Sequence, residues 1–452
     1  MSILKRPFQH ICLSLFLCTS LVSAQRFHIP EKKKFEKVRF ELINNLMVVP
    51  VELNGAELRF ILDSGVRNPI LFNLTTKDSV PINKVSPITL RGLGEGEAID
   101  ALKSTGNTFK LGGAVSFGQM LYVVIDKDMN FSTSLGMPVH GIIGYDIFKD
   151  FIVEINYAKS HLKLYDPKRN VPKGIEKMEK LPLTVLNKKA YVDAAVTFED
   201  ESEIPVKLLV DTGSSDALWL FKNVEKGLRV PERNYEEFLG EGLSGSIFGK
   251  RTKLKGMRIG SFYLEEAKVA FPHMQSFGAI KDLGDRNGSV GGEVLKRFNL
   301  IFDYANNALF LSKNAHYNDP FQYDLAGISL QHNGLRYIAE RIVDAKGMLD
   351  PEQNESFGNV QLLFEQTTRL SLVPEIVVSS IRAGSPAAEA GLKEGDVILA
   401  VNGKRIHDYK LQEVLQMLNE REGKRIRVLI ERYQRDMLYS FVLKDLFKTK
   451  KP

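Results

Sequence analysis

The chain has 452 residues, 44% of them hydrophobic and 26% charged, which is enough apolar material for several domains with their own cores. Its formal charge of +6 is spread over 61 basic and 55 acidic residues, so no concentrated basic surface argues for nucleic acid. The only cysteines are Cys12 and Cys18, which excludes a disulfide framework, thiol catalysis and a cysteine metal site from everything after them.

Residues 1–24 read as a secretory signal peptide. Lys5 and Arg6 form a basic start, Ile11 to Leu17 an apolar stretch, and Val22-Ser23-Ala24 a small-residue cleavage site before Gln25. The apolar stretch is too short for a transmembrane helix, so the mature chain is expected to be exported, to a periplasm or beyond, without an integral membrane span. Cys18 suggests a lipoprotein, but Leu17 stands where a small residue is expected, and cleavage after Ala24 is the preferred reading. Cleavage removes Lys5 and Arg6 and lowers the charge from +6 to +4.

Arg39 to Leu62 alternates apolar and polar residues around Asn54-Gly55, a hairpin signal, and leads into Phe60-Ile61-Leu62-Asp63-Ser64-Gly65. A carboxylate thus stands at a strand end, with a hydroxyl and a turn-forming glycine behind it. After a glycine-rich stretch, Leu90 to Gly96, comes Gly141-Ile142-Ile143-Gly144, followed by Phe151 and Tyr157. The same order then returns. Leu208-Leu209-Val210-Asp211-Thr212-Gly213 is followed by Gly240 to Gly245, by Ser289-Val290-Gly291, and by Phe298 and Tyr304. The offset is 148 from Asp63 to Asp211 (211 − 63) and 147 from Tyr157 to Tyr304 (304 − 157). A register kept to one residue over so long a stretch marks a duplicated lobe, expected over residues 25–175 and 176–316.

Asp-Ser/Thr-Gly in each half, each followed by two apolar residues and a glycine, resembles the pepsin and retropepsin group of aspartic proteases over roughly residues 36–315. The resemblance implies two mainly β lobes whose triplets meet on a pseudo-twofold axis, with Asp63 and Asp211 catalytic. Ser64 and Thr212 would cross-brace the two loops, and Ile142-Ile143-Gly144 and Ser289-Val290-Gly291 would pack beneath them. Gly92, Gly94 and Gly96 fall where a flap would lie, or form an ordinary glycine-rich hairpin; the flap tyrosine of pepsins is missing. The absence of cysteine from the mature chain departs from secreted eukaryotic pepsins and favours a bacterial envelope protein.

The residues suit that chemistry. Two adjacent carboxylates share one proton; the charged member can deprotonate a water while the protonated one donates to a peptide carbonyl. No metal, cofactor or covalent intermediate is called for, and one chain supplies both carboxylates. Gly65 and Gly213 let the backbone approach and turn. Trp219, just past Asp211, reads either as a core or interface aromatic or as the wall of a substrate subsite, and His140 reads as structural.

Beyond Leu311 the repeat stops. Ser385-Pro386-Ala387-Ala388, Ala390-Gly391-Leu392, Gly395-Asp396-Val397-Ile398 and Asn402-Gly403 occur in an order that resembles a PDZ domain, expected over residues 317–447 ahead of a basic tail, 448–452. A helix is expected from about Lys410 to Glu422 and a loop from Lys346 to Phe357. By resemblance, Leu325-Ala326-Gly327-Ile328 is the loop that would capture a peptide's C-terminal carboxylate; a plain strand entry is the alternative.

The sequence thus points to a mainly β, exported aspartic endopeptidase acting on peptide or protein substrates, with a PDZ domain for recruitment or control. The competing reading is a peptide-binding envelope protein whose protease-like lobes serve only as scaffold.

Overall fold

The computed structural model describes residues 25–75, 78–125, 130–278, 283–348 and 361–447, and the expected signal peptide and basic tail lie outside them. The chain divides into two compact units. One runs to Tyr323 and takes back Leu446 and Phe447, and the other is Asp324–Asp445. The division falls after the expected residue 317 because Tyr317 and Phe321 pack against the core of the first unit.

Both units are mainly β. In the first, the strands Leu46–Leu53 and Ala56–Leu62 form the expected hairpin, with Asn54 and Gly55 at φ 50° and 93°. These left-handed values suit Asn-Gly, since neither residue resists φ > 0 as a β-branched one would. Alternation buries Val49, Val51 and Leu53 on one strand and Leu58, Phe60 and Leu62 on the other. A third strand, Gly141–Ile143, then runs parallel to the second, Leu62 beside Ile143. The second lobe repeats the design with Lys189–Thr197, Glu203–Val210 and the parallel strand Gly288–Val290.

The lobes are joined by a six-stranded sheet in which Ile152–Asn156 of the first pairs antiparallel with Phe298–Asp303 of the second. Above this junction Phe148 stacks on Tyr304 at 5.5 Å and meets Phe302 edge-on at 5.0 Å. Such pairs add roughly 0.5–1.5 kcal/mol each beyond the area they bury. One hydrophobic core therefore runs through both lobes, drawing Phe60 and Ile155 from one and Leu208 and Leu300 from the other.

The second unit is a sheet with a short helix, Pro386–Glu389, and a longer one, Leu411–Leu418. Ser385 caps the short helix through Ala388 N–H, and Leu411, Val414 and Leu418 bury one face of the longer. The strands Ile328–Met348 and Gln361–Ile381 pair over their whole length, so the start of the loop expected from Lys346 to Phe357 is strand as far as Met348, and the rest of that stretch lies outside the described residues. On this arm Leu335, Tyr337, Leu370 and Leu372 are exposed. Among the described residues no helix is long and apolar enough to cross a membrane.

Candidate active site

Each aspartate stands one residue past the end of its strand, where the neighbouring parallel strand holds it. Asp63 N–H donates to Ile143 O at 2.8 Å and Asp211 N–H to Val290 O at 2.9 Å. The glycines that follow those strands are there for close approach. A Cβ on Gly144 would overlap the Asp63 carbonyl oxygen, and one on Gly291 the Asp216 carbonyl oxygen. Ile142 faces the apolar cluster of the first lobe.

The hydroxyls between the aspartates and the glycines bind the two lobes to each other. Ser64 N–H donates to Thr212 Oγ1 (3.0 Å) and Thr212 N–H to Ser64 Oγ (3.1 Å). Each hydroxyl then donates across the axis, Ser64 to Val210 O (2.6 Å) and Thr212 to Leu62 O (2.8 Å). Both side chains are fully buried, so all four bonds are sheltered from water.

This brace brings the carboxyl groups together. Gly65 N–H donates to Asp63 Oδ1 (2.6 Å) and Gly213 N–H to Asp211 Oδ1 (3.1 Å). Gly213 also passes so close to the other lobe's aspartate that a Cβ there would overlap the Asp63 carboxyl group. Asp63 is pushed up to about 8, first by burial and then by the charge of Asp211, to which it is also hydrogen-bonded; Gly65 N–H and Lys189 act in the opposite direction. A shared proton between two carboxyl groups that cannot both ionise is the physical outcome.

The glycine-rich segments meet each other. Gly92 N–H donates to Ser244 Oγ (3.0 Å), Gly96 N–H to Ser244 O (2.7 Å), and Ser244 N–H to Leu93 O (2.8 Å). Gly94, at φ 124°, leaves no room for a Cβ against the backbone of Ser244. The leucines cross over. Leu93 packs into the second lobe's cluster around Trp219 and Phe277, and Leu243 into the first lobe's cluster around Ile61 and Val139. The flap candidates are therefore one half of a paired latch, in which each tip closes on the other lobe.

Hairpin turns of both lobes complete the reciprocity. Asn45 Nδ2 donates to Ser215 O behind Asp211, and Lys188 Nζ to Asn68 Oδ1 behind Asp63. Trp219 is buried, its Nε1–H donating to Asp216 Oδ2 (2.7 Å), and Asp216 pairs with Arg251 (2.7 Å). It is thus a core aromatic tied to a buried ion pair. His140 Nδ1 accepts from Arg59 N–H, a structural bond. Sequence reasoning passed over Lys189 and Arg286, on both of which the charge of Asp211 acts. The signal that could have found Lys189 is its place directly after the turn pair Asn187-Lys188, as the first residue of a strand that runs antiparallel to the one ending just before Asp211.

In the second unit, the strand that begins at Ile328 lies at the edge of its sheet, as strand addition requires. The expected carboxylate-capturing N–H groups are already engaged. Leu325 and Ala326 donate to Asn419 Oδ1 (2.7 and 3.2 Å), and Gly327 to Asp324 Oδ1 (2.8 Å).

Two stretches of the chain match known families. Residues 49–147 match the aspartyl protease family model, a stretch that holds Asp63 and Ile142-Ile143-Gly144 and ends before Asp211. Residues 377–432 match the model of the PDZ domain. Among solved structures, the aspartic proteinase from Irpex lacteus is similar at 13% identity and a TM-score of 0.38, covering 63% of this chain and 99% of that one. The chain thus carries a stretch that matches the aspartyl protease family model, whose strand pattern the second lobe repeats, and a C-terminal stretch that matches the PDZ domain.

Proposed function

We propose that the protein is an exported aspartic endopeptidase whose catalytic pair is Asp63 and Asp211. The observation that carries this reading is the pairing of two carboxyl groups from two lobes by a buried, reciprocal hydroxyl brace. A scaffold without chemistry gains nothing from forcing two acidic groups together, because their mutual repulsion lowers stability.

The mechanism follows from where the proton rests. Asp63, raised by burial and by its neighbour's charge, holds it. Asp211 takes a proton from a water placed between the carboxyl groups as the water oxygen bonds to the peptide carbonyl carbon. Asp63 gives its proton to the carbonyl oxygen, leaving a tetrahedral diol. Asp211 then protonates the leaving nitrogen, a diol hydroxyl returns its proton to Asp63, and the C–N bond breaks. The water is consumed and both carboxyl groups regain their starting states. The PDZ domain's role in this reading is to recruit substrates or control their access, in a periplasm or outside the cell.

The test is digestion of an unstructured protein by the mature chain, with and without a peptide bearing a secondary alcohol in place of the scissile amide. Cleavage blocked by the alcohol supports the reading, and cleavage indifferent to it contradicts the reading. Absence of any cleavage, with the alcohol peptide also failing to bind, favours the scaffold.

A further inference from the structure

The pseudo-twofold axis allows the two walls of the site to be compared residue by residue. In the first lobe Val48 pairs with Ile61, so Leu46, two residues earlier, stands opposite Asp63. In the second lobe Tyr191 pairs with Leu209, so Lys189 stands opposite Asp211. Residues directly opposite in an antiparallel pair share a face of the sheet. The walls repeat in backbone and differ in chemistry. Leu46 is buried in an apolar cluster with Ile61 and Val139. Lys189 is half-buried, and the charges that act on it are Arg286, Asp211, Arg67 and Asp63.

A second position shows the same asymmetry. Val139 lies two residues before the strand Gly141–Ile143, and Arg286 two before the strand Gly288–Val290. Val139 is fully buried, and Arg286 is 8% exposed, its Nε donating to Gly288 O (2.9 Å) and its guanidinium lying 5.2 Å from the Phe221 ring centre. A third position sets half-buried Ile142 against Ser289.

The charges on the second wall do not balance. Among the described residues neither Lys189 nor Arg286 has a carboxylate within 4.0 Å. The singly protonated pair supplies one negative charge, against these two cations and Arg67 on the facing loop. Buried cations held without a close anion are costly, and a carboxylate delivered by a ligand relieves that cost.

We propose that the wall beside Asp211 is a cationic specificity subsite, in which Lys189 and Arg286 receive an acidic side chain of the substrate, while the wall beside Asp63 receives an apolar one. The inference rests on the endopeptidase reading for its ligand, a peptide. The enzyme would then cut between an apolar residue and Asp or Glu, and it would discriminate against the isosteric Asn and Gln because these leave the cations unpaired.

The test uses peptides in which a secondary alcohol replaces the scissile amide, with Glu or Gln at each flanking position in turn, measured for binding to the full chain. The Glu peptide is expected to bind about tenfold or more tighter than its Gln counterpart at one of the two positions. Lys189→Met should remove most of that ratio, and Lys189→Glu should turn the preference toward a Lys peptide. Equal binding of Glu and Gln peptides to the wild type overturns the proposal. So does a preference that survives in both Lys189→Met and Arg286→Met, with circular dichroism confirming that the variants fold. The alcohol peptides bind without turnover, which separates the two claims. Acid preference without cleavage of the matching amide peptide removes the endopeptidase reading and keeps the subsite. Cleavage without acid preference does the reverse.

Discussion

Ser64 and Thr212 exchange the same two hydrogen bonds in opposite directions, each hydroxyl accepting the other's N–H and donating to the carbonyl of the residue just before the other lobe's aspartate, Val210 O and Leu62 O. Removing one hydroxyl leaves a buried N–H and a buried carbonyl without partners. Thr212→Val and Ser64→Ala should each destabilise the first unit by about 1–3 kcal/mol per orphaned group. Urea unfolding followed by Trp219 fluorescence reads the loss, and an unchanged midpoint would show that the brace is dispensable.

Gly213 approaches the Asp63 carboxyl group across the lobe boundary, with no space for a methyl group. Gly213→Ala should therefore push the carboxyl groups apart and cut kcat by roughly 100-fold, the scale of an ångström-sized misplacement. Binding through the PDZ domain should be untouched, and kcat within twofold of wild type would contradict the geometry.

The raised pKa of Asp63 has a sign that stability measurements can read. Between the ordinary value of 3.8 and about 8 the folded chain holds a proton that the unfolded chain has lost. Stability from this group is therefore highest at low pH and falls as pH rises through that window. Asp63→Asn removes the linkage, so the variant should lose less stability than the wild type between pH 5 and pH 8. Parallel pH slopes for the two proteins would place the proton elsewhere.

The paired latch offers another handle. Gly94 sits against the Ser244 backbone at φ 124°, where a side chain is both strained and crowded. Gly94→Val should hold the tips apart, lowering kcat/KM by about 10- to 100-fold while leaving the fold intact. Steady-state kinetics with a peptide substrate tests this, and an unaffected kcat/KM would mean that the tips need not close.

In the PDZ domain, Asn419 Oδ1 accepts the N–H groups of Leu325 and Ala326 that a peptide carboxylate would need. Asn419→Ala frees both. The variant should bind C-terminal peptides more tightly than the wild type, while its own unfolding costs about 1–3 kcal/mol less. Fluorescence anisotropy of labelled peptides checks the first part. Weaker binding would show that Asn419 shapes the groove instead of plugging it.

Much of this site was legible in the sequence because it is written locally. An apolar run ending in Asp-Ser-Gly or Asp-Thr-Gly encodes a strand, a carboxylate and a tight turn in consecutive residues, and the duplication repeats them in register. Asn54-Gly55 and Asn402-Gly403 mark their turns for the same reason, since both pairs have positive φ. The latch was legible only as glycine-rich segments, because the contact of Leu93 and Leu243 with opposite lobes belongs to tertiary packing. Lys189 and Arg286 were passed over for a related reason: in sequence they lie 22 residues before and 75 residues after Asp211 (211 − 189; 286 − 211), and only the folded chain brings them within reach of its charge. The loop expected at Lys346 gave way to a strand running to Met348, because pairing with the strand that starts at Gln361 extends the hairpin through a polar stretch.

The most direct test is kcat/KM against pH from 3 to 9 for the mature chain and for Asp63→Asn and Asp211→Asn. If the two carboxyl groups share one catalytic proton, the wild type stays active at neutral pH and declines as pH rises through about 8. Each variant then falls by about 10²–10⁴-fold across the whole range. Activity retained in either variant would contradict a catalytic pair formed by Asp63 and Asp211.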